Sequence, residues 1–309
     1  MTSEQYARCL QVPTGKVDVV IDTDTYNEID DQFAVSYLIR SPEKLHTVAL
    51  YAAPFYNSNS TGPADGMEKS YAELLKLLRF AGADELTAVT FRGADRYLPD
   101  ESTPVPSDAV RDLVARSRAY SADHPLYVVA IGAITNIASA LLTDPTLKER
   151  IVVVWLGGHA RHIEEKPASE FNMTQDIAAA RVVMGCGVPF VQLPCCGVVS
   201  EFAVSPAELN YWLRGKNPLA DYLARHSIEA EEKDADSYSS PWTRVIWDVT
   251  AVGWLLNDGN RFMRSRTVPV YLPAYDRSYE STPHPRDMTY VYLIERNALM
   301  DDLFRKLRQ

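Results

Sequence analysis

Short apolar runs recur along the first 200 residues, at 17–22, 46–53, 86–91, 126–131, 151–156 and 188–193. Several are almost unbroken Val, Ile and Leu, the pattern of strands covered on both faces. Between them the hydrophobic period becomes that of a helix. Within 67–80, Tyr71, Leu74, Leu75 and Leu78 fall on one stripe, and 107–119 and 134–142 read the same way. Strand and helix in alternation predict the α/β class, with a mostly parallel, Rossmann-like sheet flanked by helices. Such crossovers are right-handed, and ligands collect at the carboxyl ends of the strands. Past residue 200 the pattern turns to helices at 206–214, 218–229 and 247–257, then strands near 268–272 and 289–294. No repeat, low-complexity tract or linker interrupts the chain, so residues 1–309 are expected to form one domain.

Polar positions are concentrated at one place. Directly after the first run, residues 22–31 carry Asp22, Asp24, Glu28, Asp30 and Asp31, followed by the helix-like Phe33 to Ile39. A buried strand ending in Asp-x-Asp, with Asp-Asp opening the next helix, converges carboxylates on one point. Unpaired, they repel one another and their pKa values rise. A hard divalent cation removes that penalty by direct ligation. Helix capping, as by Asp30, explains one or two of these carboxylates, and leaves the pair at the strand end without a reason. Ile131-Gly132 and Gly157-Gly158 follow strands too, and so belong to the same edge.

Composition narrows the partners. The 309 residues are 46% hydrophobic and 23% charged, ordinary for a globular enzyme. A formal net charge of -10 argues against nucleic acid or an anionic membrane as a partner. The first residues lack the apolar core of a signal peptide, and no stretch approaches a membrane span. Cys9, Cys186, Cys195 and Cys196 give neither a disulfide framework nor zinc spacing, so a reducing cytoplasm is expected. The stretch 229–243 is polar and aperiodic, suited to a solvated connection or a lid.

Four motifs in order resemble the nucleoside hydrolases, calcium-dependent enzymes that cleave ribonucleosides to base and ribose. Their opening motif, Asp-Thr-Asp-Pro-Gly-Ile-Asp-Asp, is matched at both ends by Asp22-Thr23-Asp24 and Ile29-Asp30-Asp31. The middle departs: Thr25-Tyr26-Asn27-Glu28 stands for Pro-Gly, which lengthens the loop and brings Asn27 or Glu28 toward the pocket. Ile131-Gly132-Ala133-Ile134-Thr135-Asn136-Ile137-Ala138 is similar to the family's Gly-Pro-Leu-Thr-Asn-Ile-Ala element and its preceding residue. Gly157-Gly158 with Glu170-Phe171-Asn172 and Asp176 resembles its ribose-binding elements. Trp247-Asp248 stands where His-Asp is usual.

The resemblance implies a nucleoside hydrolase fold, a homodimer or homotetramer, and a Ca2+ site formed by Asp24, Asp31, Asp248 and the Ile131 carbonyl. Calcium suits this irregular all-oxygen mixture better than magnesium or zinc. A calcium-bound water would attack the sugar, with Asp24 as general base. Asp30, Glu170 and Asn172 would hold the ribose, and Asp22 would orient the loop. Trp247 can stack on the base but cannot protonate it. Substitute donors are sought among His159, His162, His226, Tyr238 and Arg244. The loop 52–63 departs from the family as well, with Asn57 or Asn59 in place of the sugar-binding Asn and Phe55 and Tyr56 as candidate walls of the base pocket. Two rivals remain: a non-catalytic calcium-dependent nucleoside- or ribose-binding protein, and a haloacid-dehalogenase-type phosphatase suggested by Asp-Thr-Asp-Thr.

Overall fold

A computed structural model describes residues 1–162, 166–232 and 241–309. Its strands are β1 (Val17–Thr23), β2 (Leu45–Ala52), β3 (Thr90–Arg92), β4 (Leu126–Ala130), β5 (Ile151–Leu156), β6 (Phe190–Leu193), β7 (Ala203–Val204), β8 (Arg244–Val245), β9 (Met263–Pro269) and β10 (Asp287–Ile294). Its helices are α1 (Ser3–Cys9), α2 (Asp30–Ile39), α3 (Pro63–Ala81), α4 (Asp108–Ser117), α5 (Thr135–Thr143), α6 (Phe171–Gln175), α7 (Ile177–Gly185), α8 (Pro206–Trp212), α9 (Pro218–Glu231), α10 (Val249–Leu255) and α11 (Arg296–Leu307). Eight strands form the central sheet in the order β3-β2-β1-β4-β5-β6-β10-β9, parallel except for the antiparallel β9–β10 pair.

The apolar runs become parallel strands because both faces are covered. Val19 and Ile21 face one core, with Phe33, Leu74, Trp254 and Leu303. Val20, Val128, Val153 and Trp155 face the other, with Leu113, Ile137 and Val183. The period of two along β1 thus sends neighbouring residues to opposite layers of helices. From β1 the chain winds outward through β2 and β3, then returns to β4 and winds the other way. The strand order reverses between β1 and β4, which opens a crevice beyond their carboxyl ends.

Several expected boundaries move. The run 86–91 is mostly a 3-10 helix, Asp84–Val89, which buries no side chain, and only Thr90–Arg92 pairs with β2. The strand expected at 268–272 lies at Met263–Pro269, where Arg264 and Arg266 on an exposed edge strand interrupt the apolar signal. The helix expected over 247–257 is shorter, with Asp248 at its N-cap position. Helix α1, closed by a Thr2–Gln5 capping box, was not anticipated. Among the described residues, no helix is long and apolar enough to cross a membrane.

Candidate active site

Alternation along β1 sorts its last two polar residues. Asp22 shares the Val20 face, where its Oδ1 accepts from Asn136 Nδ2 at 2.8 Å across the β1–β4 crevice. Thr23 points the other way, and its hydroxyl donates to Asp31 in the first turn of α2. Asp22 thus orients the strand end through Asn136, whose Oδ1 also accepts the Ala94 N–H. Burial raises the Asp22 carboxyl to about 7, against the pull of the Asn136 hydrogen bond.

Asp24 lies just past the strand. Both of its carboxylate oxygens are buried and have no hydrogen-bond partner in the protein. Such a group is costly unless something is there to meet it. Burial, then the charges of Asp31 and Asp30, push its pKa well above the usual carboxylate range. Gly132 makes the position possible: a Cβ there would fall 3.0 Å from Asp24 Cγ and 3.1 Å from its Oδ1.

Asp30, Asp31 and Asp248 each present an oxygen within 4.8 Å of the others, all buried. The α2 dipole favours negative charge on the first two. Asp248 reaches the cluster from the start of α10 and shares a hydrogen bond with Asp31. Burial is the largest cause of the raised pKa in all three, followed by neighbouring carboxylates. For Asp30, raised to about 7, the nearby charge is Glu28, partly offset by Arg244. The geometry differs in one respect from the set expected on sequence: Asp30 belongs to the tight trio, and Asp24 borders it. Buried carboxylates that destabilise one another, with two orphaned oxygens beside them, are a donor set suited to a hard cation.

Glu170 proves to be a structural cap as well as a cavity residue. Its carboxylate accepts the N–H groups of Asn172 at 2.7 Å, Gly158 at 2.9 Å and Met173 at 3.0 Å. Asn172 Nδ2 donates to the carbonyls of Leu156 at 3.1 Å and Ile131 at 3.2 Å, tying the ends of β5 and β4 together. The Ile131 carbonyl, expected as a metal ligand, already has this partner, and only its second lone pair could serve a cation. Gly158 adopts φ +77, and a Cβ there would meet Tyr279 Oη at 2.8 Å, which explains the Gly-Gly turn.

Asp30, Asp248, Glu170, Asn172, Trp247 and His159 line part of a cavity of about 180 Å³, whose lining does not include Asp24 or Asp31. Of the donors sought on sequence, His159 stands on this wall, and its Nδ1 accepts the Cys196 N–H at 3.2 Å. His226 and Arg244 line an adjacent polar cavity of about 340 Å³, His162 is exposed, and Tyr238 lies outside the described residues. Cys195 is buried, and burial with the Glu170 charge holds its thiol protonated, as befits packing. A larger cavity of about 500 Å³ opens at the opposite edge, around Lys16, Asp18 and His124, far from the carboxylates.

The loop 52–63 corrects the expected base pocket. Phe55 is fully buried, packed so closely on α3 that a Cβ at Gly66 would strike its carbonyl oxygen at 2.1 Å. Tyr56 is exposed, and its N–H donates to Gln175 Oε1. Asn57 and Asn59 do not line the cavity with the carboxylates; both line the adjacent one. Asn136, Thr23 and Gly132 were missed as site residues. Their signal lay in the Thr-Asn and Gly positions of motifs already noticed.

The family model described as "Inosine-uridine preferring nucleoside hydrolase" matches residues 19–291. The chain belongs to the nucleoside hydrolase family. It is 26% identical over 225 residues to a "Probable uridine nucleosidase 2" of Arabidopsis thaliana, covering 67% of each chain. It is 25% identical over 226 residues to the "Pyrimidine-specific ribonucleoside hydrolase RihA" of Klebsiella pneumoniae, covering 68% of this chain and 70% of that one. The fold is shared with a plant nucleoside hydrolase structure at a TM-score of 0.76 and 18% identity, over 96% of this chain and 99% of that one. This nucleoside hydrolase is therefore an N-glycosyl-bond hydrolase on a mostly parallel α/β sheet, not a phosphatase of the haloacid dehalogenase type.

Proposed function

We propose that the chain hydrolyses the N-glycosidic bond of ribonucleosides with Ca2+ at the acidic cluster and Asp24 as general base. The observation that carries this reading is Asp24: a buried carboxylate with two unsatisfied oxygens, bordering three more. Asp24, Asp30, Asp31 and Asp248 would hold the ion, with the remaining lone pair of the Ile131 carbonyl. When bound, the cation supplies a charge that gathers the sugar hydroxyls and lowers the pKa of a water.

Asp24 takes the proton of the attacking water, help worth about 10²–10⁴-fold in comparable reactions. Asp31 is held for its task by Thr23. Asp30 accepts from the sugar hydroxyls, and Trp247 lines the same cavity as Asp248. Glu170 and Asn172 fix the shape of the cavity through backbone bonds, besides any contact with the sugar.

Release of reducing sugar from purine and pyrimidine ribonucleosides, with calcium and after chelation, tests the proposal. Calcium-dependent release is the expected result. Retained calcium with no release from any nucleoside would favour a binding protein instead. Asp24→Asn should lower kcat by roughly 10²-fold or more with an unchanged circular dichroism spectrum. Near-normal turnover in that variant removes Asp24 from the role of base.

A further inference from the structure

The segment 25–28 that separates this chain from the family's opening motif contains Asn27, and Asn27 lines both the 180 Å³ and the 340 Å³ cavities. The residue is held from three directions. Its backbone N–H donates to the Asp24 carbonyl at 2.6 Å, and its carbonyl accepts from Asn59 Nδ2 at 2.9 Å. Its side-chain oxygen lies 2.5 Å from Asn57 Nδ2.

The direction of these bonds is fixed by a backbone group. The Asn59 N–H can only donate, and it donates to Asn57 Oδ1 at 2.8 Å in an Asx turn. Asn57 must then present its NH2 to Asn27, and Asn27 must present its oxygen in return. The Asn27 NH2 is therefore turned away from Asn57, and Asn27, only 8% exposed, lines both cavities, as Glu28 does. A backbone N–H two residues away along the network thus sets which way the Asn27 amide is turned where it lines the two cavities.

We propose that Asn27 is a catalytic residue, its fixed side-chain N–H donating to the leaving base beside the glycosidic bond. The inference rests on the hydrolase reading above. With the sugar diol at Asp30 and Asp248, the sugar fills the smaller cavity and the base needs the larger one, lined by Asn57, Asn59, Gln32 and Arg244. The scissile bond then lies between the two cavities, beside Asn27. As it breaks, its electron pair passes to the base nitrogen and onto the acceptor two bonds away, O2 of a pyrimidine or N3 of a purine. Oxygen of the attacking water bonds to C1′, one water proton goes to Asp24, and the base anion is protonated from solvent. Asn27 keeps its protons. It stabilises developing charge, which a donor aimed in advance does well in a dry site. This supplies what Trp247 cannot, since Trp247 stands where the family's usual His would be.

The test compares uridine and inosine with 4-nitrophenyl β-D-ribofuranoside, whose leaving group needs no help. Asn27→Ala is expected to lower kcat on the nucleosides by roughly 10²-fold, as loss of a charge-stabilising donor does. On the nitrophenyl riboside kcat should stay within about threefold, and KM for the nucleosides should change little. Asn57→Asp offers no NH2, so the Asn27 amide should flip and turn its oxygen to the base; the same selective loss is expected without touching Asn27. Equal losses on both substrate types, or none on the nucleosides, would overturn the role of Asn27 while leaving the hydrolase reading intact. No turnover of any ribosyl substrate by the wild-type protein would overturn both.

Discussion

At the scale of single residues, the site depends on atoms that are absent. Gly132 contributes no side chain, and that is its function: a methyl group there would sit 3.0 Å from the Asp24 carboxyl carbon. Gly132→Ala should therefore displace Asp24 rather than unfold the protein. Contacts of 3.0–3.2 Å ask the neighbouring atoms to give by a few tenths of an ångström, and a 1 Å misplacement of a reacting group costs on the order of 10²-fold in rate, so a smaller loss is expected. The expected outcome is a several-fold fall in kcat with a small change in urea midpoint. A variant with normal kcat would show that Asp24 has room to move and is not held by this contact.

At the scale of elements, legibility followed burial. Strands β1, β4 and β5 were plain because both of their faces are covered and their sequences are continuous apolar runs. Strand β9 was misplaced because an exposed edge alternates Arg with smaller residues. The carboxylates after β1 were visible as a dense acidic run, five acidic residues in 22–31, more than capping of α2 calls for. Two partnerships were not. The Asn27–Asn57 bond joins loops after β1 and β2, and Glu170 caps α6 while also holding the Gly158 turn. Nothing in the local sequence of either shows the other. The cap gives a prediction. Glu170→Gln replaces one accepting oxygen by an NH2 that faces backbone donors, which should cost about 1–3 kcal/mol in urea unfolding. A raised KM with unaltered stability would instead make Glu170 a sugar contact first and a cap second.

At the scale of the whole molecule, the acidic cluster ties the ends of the chain together. Asp24, Asp30 and Asp31 come from the β1–α2 connection, Asp248 from α10 over 200 residues later, and α2 packs against α10. Without a cation the four carboxyls oppose that packing, and the sign follows from their titration. Asp22 and Asp30, raised by burial to about 7 in the folded state, stay protonated there at a pH where the unfolded chain has ionised them near 3.8. The folded state then binds more protons, so stability is fully present below the unfolded value and is lost as pH rises toward and through 7. Metal-free protein should therefore melt at a lower temperature at pH 8 than at pH 5. A cation that ligates the ionised carboxylates removes the penalty, so added Ca2+ should raise the melting temperature more at pH 8 than at pH 5. Differential scanning calorimetry of chelated and calcium-loaded protein at the two pH values reads both effects. An equal rise at both would mean that the ion binds away from these groups. If Asp248→Ala abolished the pH 8 rise while the metal-free protein grew more stable, the cluster would be confirmed as a place where folding is given up for the sake of the ion.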